Sequence, residues 1–360
     1  MEKRSRVVAI TGASAGVGRA TALEFARRGD DLALIARGRA GLEAARREVE
    51  SYGVRALVLE CDVADHHAVE TAAERIEATL GEIDVWVNNA MASVFSPVEL
   101  MRPEEFERVT RVTYLGTVHG TMAALKRMRP RNRGVIIQVG SALAYRSIPL
   151  QSAYCAAKHA IVGFTDSLRS ELIHQESDVK LTAVHLPALN TPQFGWVRSR
   201  LPRKPQPVPP IYQPEIAAEA IEWASRNWRR ELYVGLPTYK AILGHKVLPG
   251  YLDHLLARRA WEGQQHDGLA EPDRPDNLVR AVDEKRDYGA HGTFDSRSRE
   301  ASPTLWLSKN RGTVGLALAG AFLATAAAAL AGGNRRELSR RATPVRGAAT
   351  YRPRVPEAGG

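Results

Sequence analysis

Short apolar runs alternate with helix-spaced patterns over roughly the first 235 residues. Residues 7–10, 32–35, 56–59, 85–87, 135–139 and 181–184, with a shorter run at 232–234, are apolar without alternation. Strands buried on both faces read this way. Between them, residues 19–28, 42–52, 69–80, 104–128, 153–174 and 215–228 repeat apolar positions at helical spacing. The pattern predicts an α/β fold in which a parallel sheet is covered by helices on both faces. Ligands of such sheets bind beyond the carboxyl ends of the strands. The residues just after each run are therefore the candidates for chemistry. No internal repeat is visible.

After the first run comes TGASAGVG, with Gly12, Gly16 and Gly18 ahead of a helix. Glycine permits positive φ and close approach. A strand, a glycine turn and a helix N-terminus together aim N–H groups and a positive dipole end at one point, which binds phosphate. An ordinary strand-to-helix turn uses glycine too, so the motif does not decide alone. Arg37 follows the second run, Asp62 the third, Asn88, Asn89 and Ala90 the fourth, and Gly140 and Ser141 the fifth. Tyr154 and Lys158 come next, four residues apart and so on one helix face. Alone they read as a surface pair; in this order they point to one site.

In that order the chain resembles the short-chain dehydrogenase/reductase family over residues 5–240. TGASAGVG is similar to its TGxxxGxG turn, NNA to its fourth-strand motif, and Ser141, Tyr154 and Lys158 to its catalytic serine and YxxxK. The resemblance implies a Rossmann-type doubly wound sheet, a nicotinamide cofactor, homo-oligomers and no metal. It implies cofactor contacts from Gly12, Ser14, Gly16, Val17, Gly18, Arg37, Asp62, Val63, Asn89, Tyr154, Lys158 and Thr191. By the same resemblance Asp62 accepts from the adenine, and Lys158 holds the nicotinamide ribose hydroxyls.

The residue chemistry agrees. A phenol with its ordinary pKa near 10 is a reluctant proton donor, and an adjacent ammonium lowers that value. Tyr154 is then the acid/base, Lys158 its tuner, and Ser141 a donor to the carbonyl oxygen. Arg37, with Arg39 nearby and no acid before Glu43, favours the 2′-phosphate of NADP. The expected activity is an NADP-dependent carbonyl reductase or alcohol dehydrogenase. Met91 replaces the glycine of NNAG, Thr113 stands where the family has an asparagine linked to a proton-relay water, and Ala188 follows Pro187 in place of glycine. Thr191 matches the nicotinamide-contacting threonine with a gap. These departures keep open a catalytically weakened NADP-binding sensor or scaffold on a membrane. A sugar-nucleotide epimerase or dehydratase also stays open, although such relatives usually show TGxxGxxG.

Composition adds limits. Of the +10 net charge, half comes from seven arginines against two glutamates in residues 335–360, so nucleic-acid binding is not expected. Two cysteines make no disulfide framework, and the amino terminus is no secretory signal. In residues 190–214, Phe194, Trp196 and Tyr212 suit an apolar or ring-bearing substrate, while Arg198, Arg200, Arg203 or Lys204 could meet an anion. Residues 241–310 read as a largely irregular extension, with 14 charged side chains among residues 271–300, as in a linker. Residues 312–333 carry no charge and are long enough to span a bilayer, so this run is expected to anchor a cytoplasmic catalytic domain. Residues 334–360 read as a basic disordered tail.

Overall fold

A computed structural model of the chain describes residues 4–271, 274–316, 319–323 and 325. The apolar runs become β1 (Val7–Thr11), β2 (Asp31–Ala36), β3 (Ala56–Glu60), β4 (Ile83–Asn88), β5 (Val135–Ser141), β6 (Lys180–Leu186) and β7 (Glu231–Tyr233). They form one sheet in the order β3-β2-β1-β4-β5-β6-β7, every pairing parallel. Strand order reverses between β1 and β4, which opens a crevice at their carboxyl ends. This is the Rossmann-type sheet that the pattern and the resemblance imply.

The helices of this frame are α1 (Gly16–Arg27), α2 (Arg39–Glu50), α3 (His66–Thr79), α4 (Pro103–Val109), α5 (Gly116–Met128), α6 (Ser152–His174) and α7 (Pro214–Arg226). Phe25 of α1, Leu42 of α2 and Ile221 of α7 fill the core on one face of the sheet. Ile76 of α3, Ala124 of α5 and Leu168 of α6 fill the other. Burial on both faces explains why the strands show no polar alternation. The helix expected over 104–128 is instead α4, a π-helical turn at Thr110–Leu115, and α5. Such turns often mark functional sites.

The expected boundary at 240 is not where the structure divides. Met1–Lys309 form one compact unit and Asn310–Gly360 a second. The first includes α8 (Leu236–Val247), α9 (Pro249–Gly263) and α10 (Pro303–Lys309). Short strands tie its later part to the frame: Gln265–Leu269 pairs antiparallel with Arg203–Pro205, and Ser298–Arg299 parallel with Ile211–Tyr212. The charged stretch is therefore no free linker, because its charges have specific partners. Asp276 pairs with Arg198 at 2.8 Å, and Arg274 donates to the carbonyls of Phe194 (2.9 Å) and Val197 (2.5 Å).

The membrane-anchor expectation finds no support. Among the described residues no helix is long and apolar enough to cross a membrane. Much of 312–333, and all of 334–360, lies outside the described residues.

Candidate active site

The glycine turn closes β1 onto α1. Gly12 and Gly16 have φ of +70° and +57°, left-handed conformations that side chains resist. At Gly18 a Cβ would lie 2.0 Å from the Gly12 carbonyl oxygen, so only glycine lets the helix start this close to the strand. Asn89, just past β4, braces the turn by donating through Nδ2 to the carbonyls of Thr11 (2.9 Å) and Gly12 (3.3 Å). Gly12, Ser14, Gly16 and Val17 line a cavity of about 470 Å³, and so do Asp62, Val63 and Asn89.

The same cavity is lined by Ser141, Tyr154, Lys158 and Thr191. Ser141 ends β5, and its hydroxyl accepts from the Leu143 N–H at 3.1 Å. Tyr154 and Lys158 rise from the first turns of α6, with the ammonium 5.6 Å from the phenol ring centre. Burial pushes the Tyr154 phenol above its usual value, while a hydrogen bond to Ser141 pulls the other way. Burial also pushes the Lys158 ammonium down, to about 8, and it donates to the Val139 carbonyl at 2.6 Å. Thr113 sits fully buried on the π-turn, where its hydroxyl donates to the Ala92 carbonyl and accepts from the Ala92 N–H, both at 3.0 Å. It clamps main chain beside Met91, which lines the cavity.

At the other end of the cavity, Asp62 accepts from the Ala64 N–H (3.0 Å) and from Arg108 (2.5 Å). Burial would raise its carboxyl, but the Arg108 guanidinium and the Ala64 N–H hold it below the ordinary range. Arg37 meets a neighbour that its sequence position does not suggest. Its guanidinium donates to the carbonyls of Asn277, Leu278 (3.4 Å) and Val279 (2.9 Å). Arg108 reaches the Leu278 carbonyl as well, at 2.9 Å.

The substrate end is apolar. Phe194, Trp196, Val208, Ala241, Leu256 and Ala260 line it. Tyr212 is buried in the core under α7 and does not line the cavity, which corrects its expected place among the substrate aromatics. The anion site expected of the basic residues is corrected too. Arg198 and Arg200 both pair with Glu105, Arg203 with Glu262, and Lys204 with Glu271.

A family model described as short chain dehydrogenase matches residues 6–201, more than half of the chain. The chain belongs to the short-chain dehydrogenase family. This short-chain dehydrogenase is 32% identical over 298 residues to the uncharacterized oxidoreductase YxnA of Bacillus subtilis (strain 168), covering 82% of this chain and 84% of that one. It is 30% identical over 223 residues to a fatty acyl-CoA reductase of Acinetobacter baylyi, covering 61% and 73% of the two chains. Its fold matches an alcohol dehydrogenase of the archaeon Thermococcus sibiricus, solved with 5-hydroxy-NADP, at a TM-score of 0.55 and 28% identity. That match covers 64% of this chain and 96% of the other. The enzyme is an NAD(P)-dependent dehydrogenase or reductase.

The residues of this short-chain dehydrogenase fit a dinucleotide. The crowded Gly18 and the positive-φ glycines form a turn that a phosphate can approach closely. Sequence reasoning missed Arg108 and the segment around residues 277–289, of which Asn277, Val282 and Asp283 line the cavity. No local pattern marks them: Arg108 is one of several charges on α4, and the later segment reaches the site from a charged stretch far along the chain.

Proposed function

We propose that the enzyme transfers hydride reversibly between a nicotinamide dinucleotide and an apolar carbonyl or alcohol, with Tyr154 as acid/base. The observation that carries this reading is the common cavity of Ser141, Tyr154, Lys158 and the glycine turn. The dinucleotide, when bound, supplies or accepts the hydride at its nicotinamide ring. In the reducing direction Tyr154 gives its phenolic proton to the substrate oxygen as the carbonyl carbon gains hydride, so the product is the alcohol and the phenolate is left to be reprotonated. Ser141 donates a hydrogen bond that positions that oxygen. Lys158, as ammonium, stabilises the phenolate and offers a donor to ribose hydroxyls.

Gly12, Ser14, Gly16, Val17, Asn89 and Thr191 form the floor for the dinucleotide, with Gly18 packed behind the turn, and Asp62 and Val63 lie at its adenine end. Arg37 speaks for NADP to the extent that its guanidinium leaves the carbonyls it holds. The apolar end of the cavity, together with the relative named a fatty acyl-CoA reductase, supports a carbonyl on a hydrocarbon chain as substrate. The test is oxidation of NADH or NADPH by aldehydes and ketones of increasing chain length, with Tyr154→Phe alongside. Turnover that vanishes in Tyr154→Phe while nucleotide binding persists supports the reading. Nucleotide binding with no turnover of any carbonyl favours the sensor or scaffold instead, and full activity in Tyr154→Phe moves the acid/base role to another residue.

A further inference from the structure

We infer that Asp283, brought to the adenosine end of the cavity by the later part of the chain, is a specificity-determining residue that discriminates against the 2′-phosphate of NADP(H). The inference rests on the dinucleotide reading of the site and deepens it.

The end of β2 is where dinucleotide folds choose between the two cofactors: a carboxylate there serves a ribose 2′-hydroxyl, an arginine a 2′-phosphate. Here the residues after β2 are Arg37 and Gly38, and no acid follows before Glu43. The structure supplies the acid from elsewhere. Asp283 lines the cavity beside Arg37, and its carboxylate lies against Gly38. A Cβ on Gly38 would stand only 1.8 Å from Oδ1, and one on Gly41 2.8 Å from Oδ2. The missing side chain of Gly38 thus makes room for the carboxylate. Asp283 is only 8% exposed, yet no donor among the described residues hydrogen-bonds its carboxylate. A carboxylate that lines the cavity and has no donor among the described residues is available to a ligand.

The main chain holds it there. Gly41 N–H donates to the Asp283 carbonyl (3.1 Å) and Ala40 N–H to the Glu284 carbonyl (3.3 Å). Further along, Gly16 N–H donates to the Gly289 carbonyl at 3.0 Å. Main-chain carbonyls take the first N–H groups of α2, a 12-residue helix, and the carboxylate stands beside its N-cap residue Gly38, where the helix dipole favours negative charge. A second anion at that place, the 2′-phosphate, meets like-charge repulsion in partly buried surroundings. A 2′-hydroxyl instead finds an acceptor. Arg37 and Asp283 so act in opposition, the guanidinium for the phosphate and the carboxylate against it.

The experiment measures dissociation constants by fluorescence titration of the full chain with NADH and NADPH, and by competition with ADP and adenosine 2′,5′-bisphosphate. In Asp283→Asn, an isosteric change, NADPH and the bisphosphate should tighten at least tenfold relative to NADH and ADP. Asp283→Ser, which keeps a small polar group at the buried position, should move the ratio the same way. Arg37→Gln should move it oppositely. An unchanged ratio in both Asp283 variants, with both nucleotides still bound, overturns the role of Asp283 and leaves the dinucleotide reading standing. Binding of neither nucleotide by the unaltered protein overturns both.

Discussion

Replacing Lys158 with methionine should make the protein more stable and inactive. Burial lowers its ammonium from 10.5 to about 8. At about 1.36 kcal/mol per pKa unit, holding that charge in the folded state costs roughly 3 kcal/mol wherever both states are protonated, below pH 8. Methionine keeps the length and apolar stem and removes the charge. It also removes the hydrogen bond to the Val139 carbonyl, a loss of about 1 kcal/mol. The net expectation is a gain of about 2 kcal/mol at pH 7. The pH dependence carries a sign that can be checked. Because the folded value lies below the unfolded one, the unfolded chain binds the extra proton between about 8 and 10.5. Stability of the unaltered protein therefore rises through that window, and the advantage of Lys158→Met fades and is gone by its upper end. Urea denaturation of the full chain without nucleotide, followed by circular dichroism at pH 7 and pH 10.5, measures both quantities. A Lys158→Met protein no more stable than the parent at pH 7, or a difference that does not shrink with pH, refutes the assigned burial.

Gly18→Ala should abolish nucleotide binding in a titration and lower the melting temperature, since its Cβ would overlap the Gly12 carbonyl oxygen at 2.0 Å. Ala241→Phe, at a half-buried cavity position, should leave short aldehydes as substrates and exclude long ones, seen as a chain-length cut-off in kcat/KM. Arg108→Ala frees both Asp62 and the Leu278 carbonyl, so calorimetry should show nucleotide affinity falling by about ten- to a hundredfold, as expected for a charge-assisted contact of about 1.5–3 kcal/mol, while kcat at saturation changes little.

Much of the frame was legible because its signals are local. A strand buried on both faces is an unbroken apolar run, and each of the seven predicted runs falls on one of the sheet's strands to within a residue or two. The carboxyl-end rule then led to Ser141, Asn89 and Asp62, which do line one cavity with Tyr154 and Lys158. The π-turn at Thr110–Leu115 was hidden because a π-turn keeps helical spacing on either side of it. The later part of the chain was read as linker because charge density there measures solvation only when the charges lack partners. Arg274 and Asp276 have theirs in residues 194–198, a contact that no window of sequence contains. Arg37 was legible only in part: its position after β2 is visible, but the carbonyls that engage it lie at Asn277, Leu278 and Val279.

The hydrogen bond from Gly16 to Gly289 joins the first turn of the sheet to a residue made after most of the chain. On the ribosome, at about 5–20 residues per second, the glycine turn emerges well before the segment that lies across it. The sheet and its helices can gather first, but the adenosine end acquires its wall only when residues 277–289 have left the exit tunnel. A nascent chain therefore presents an open glycine turn to the cell's nucleotides, while the finished protein presents a fenced one. Any nucleotide that reaches the turn before then meets it without Asn277, Val282 and Asp283.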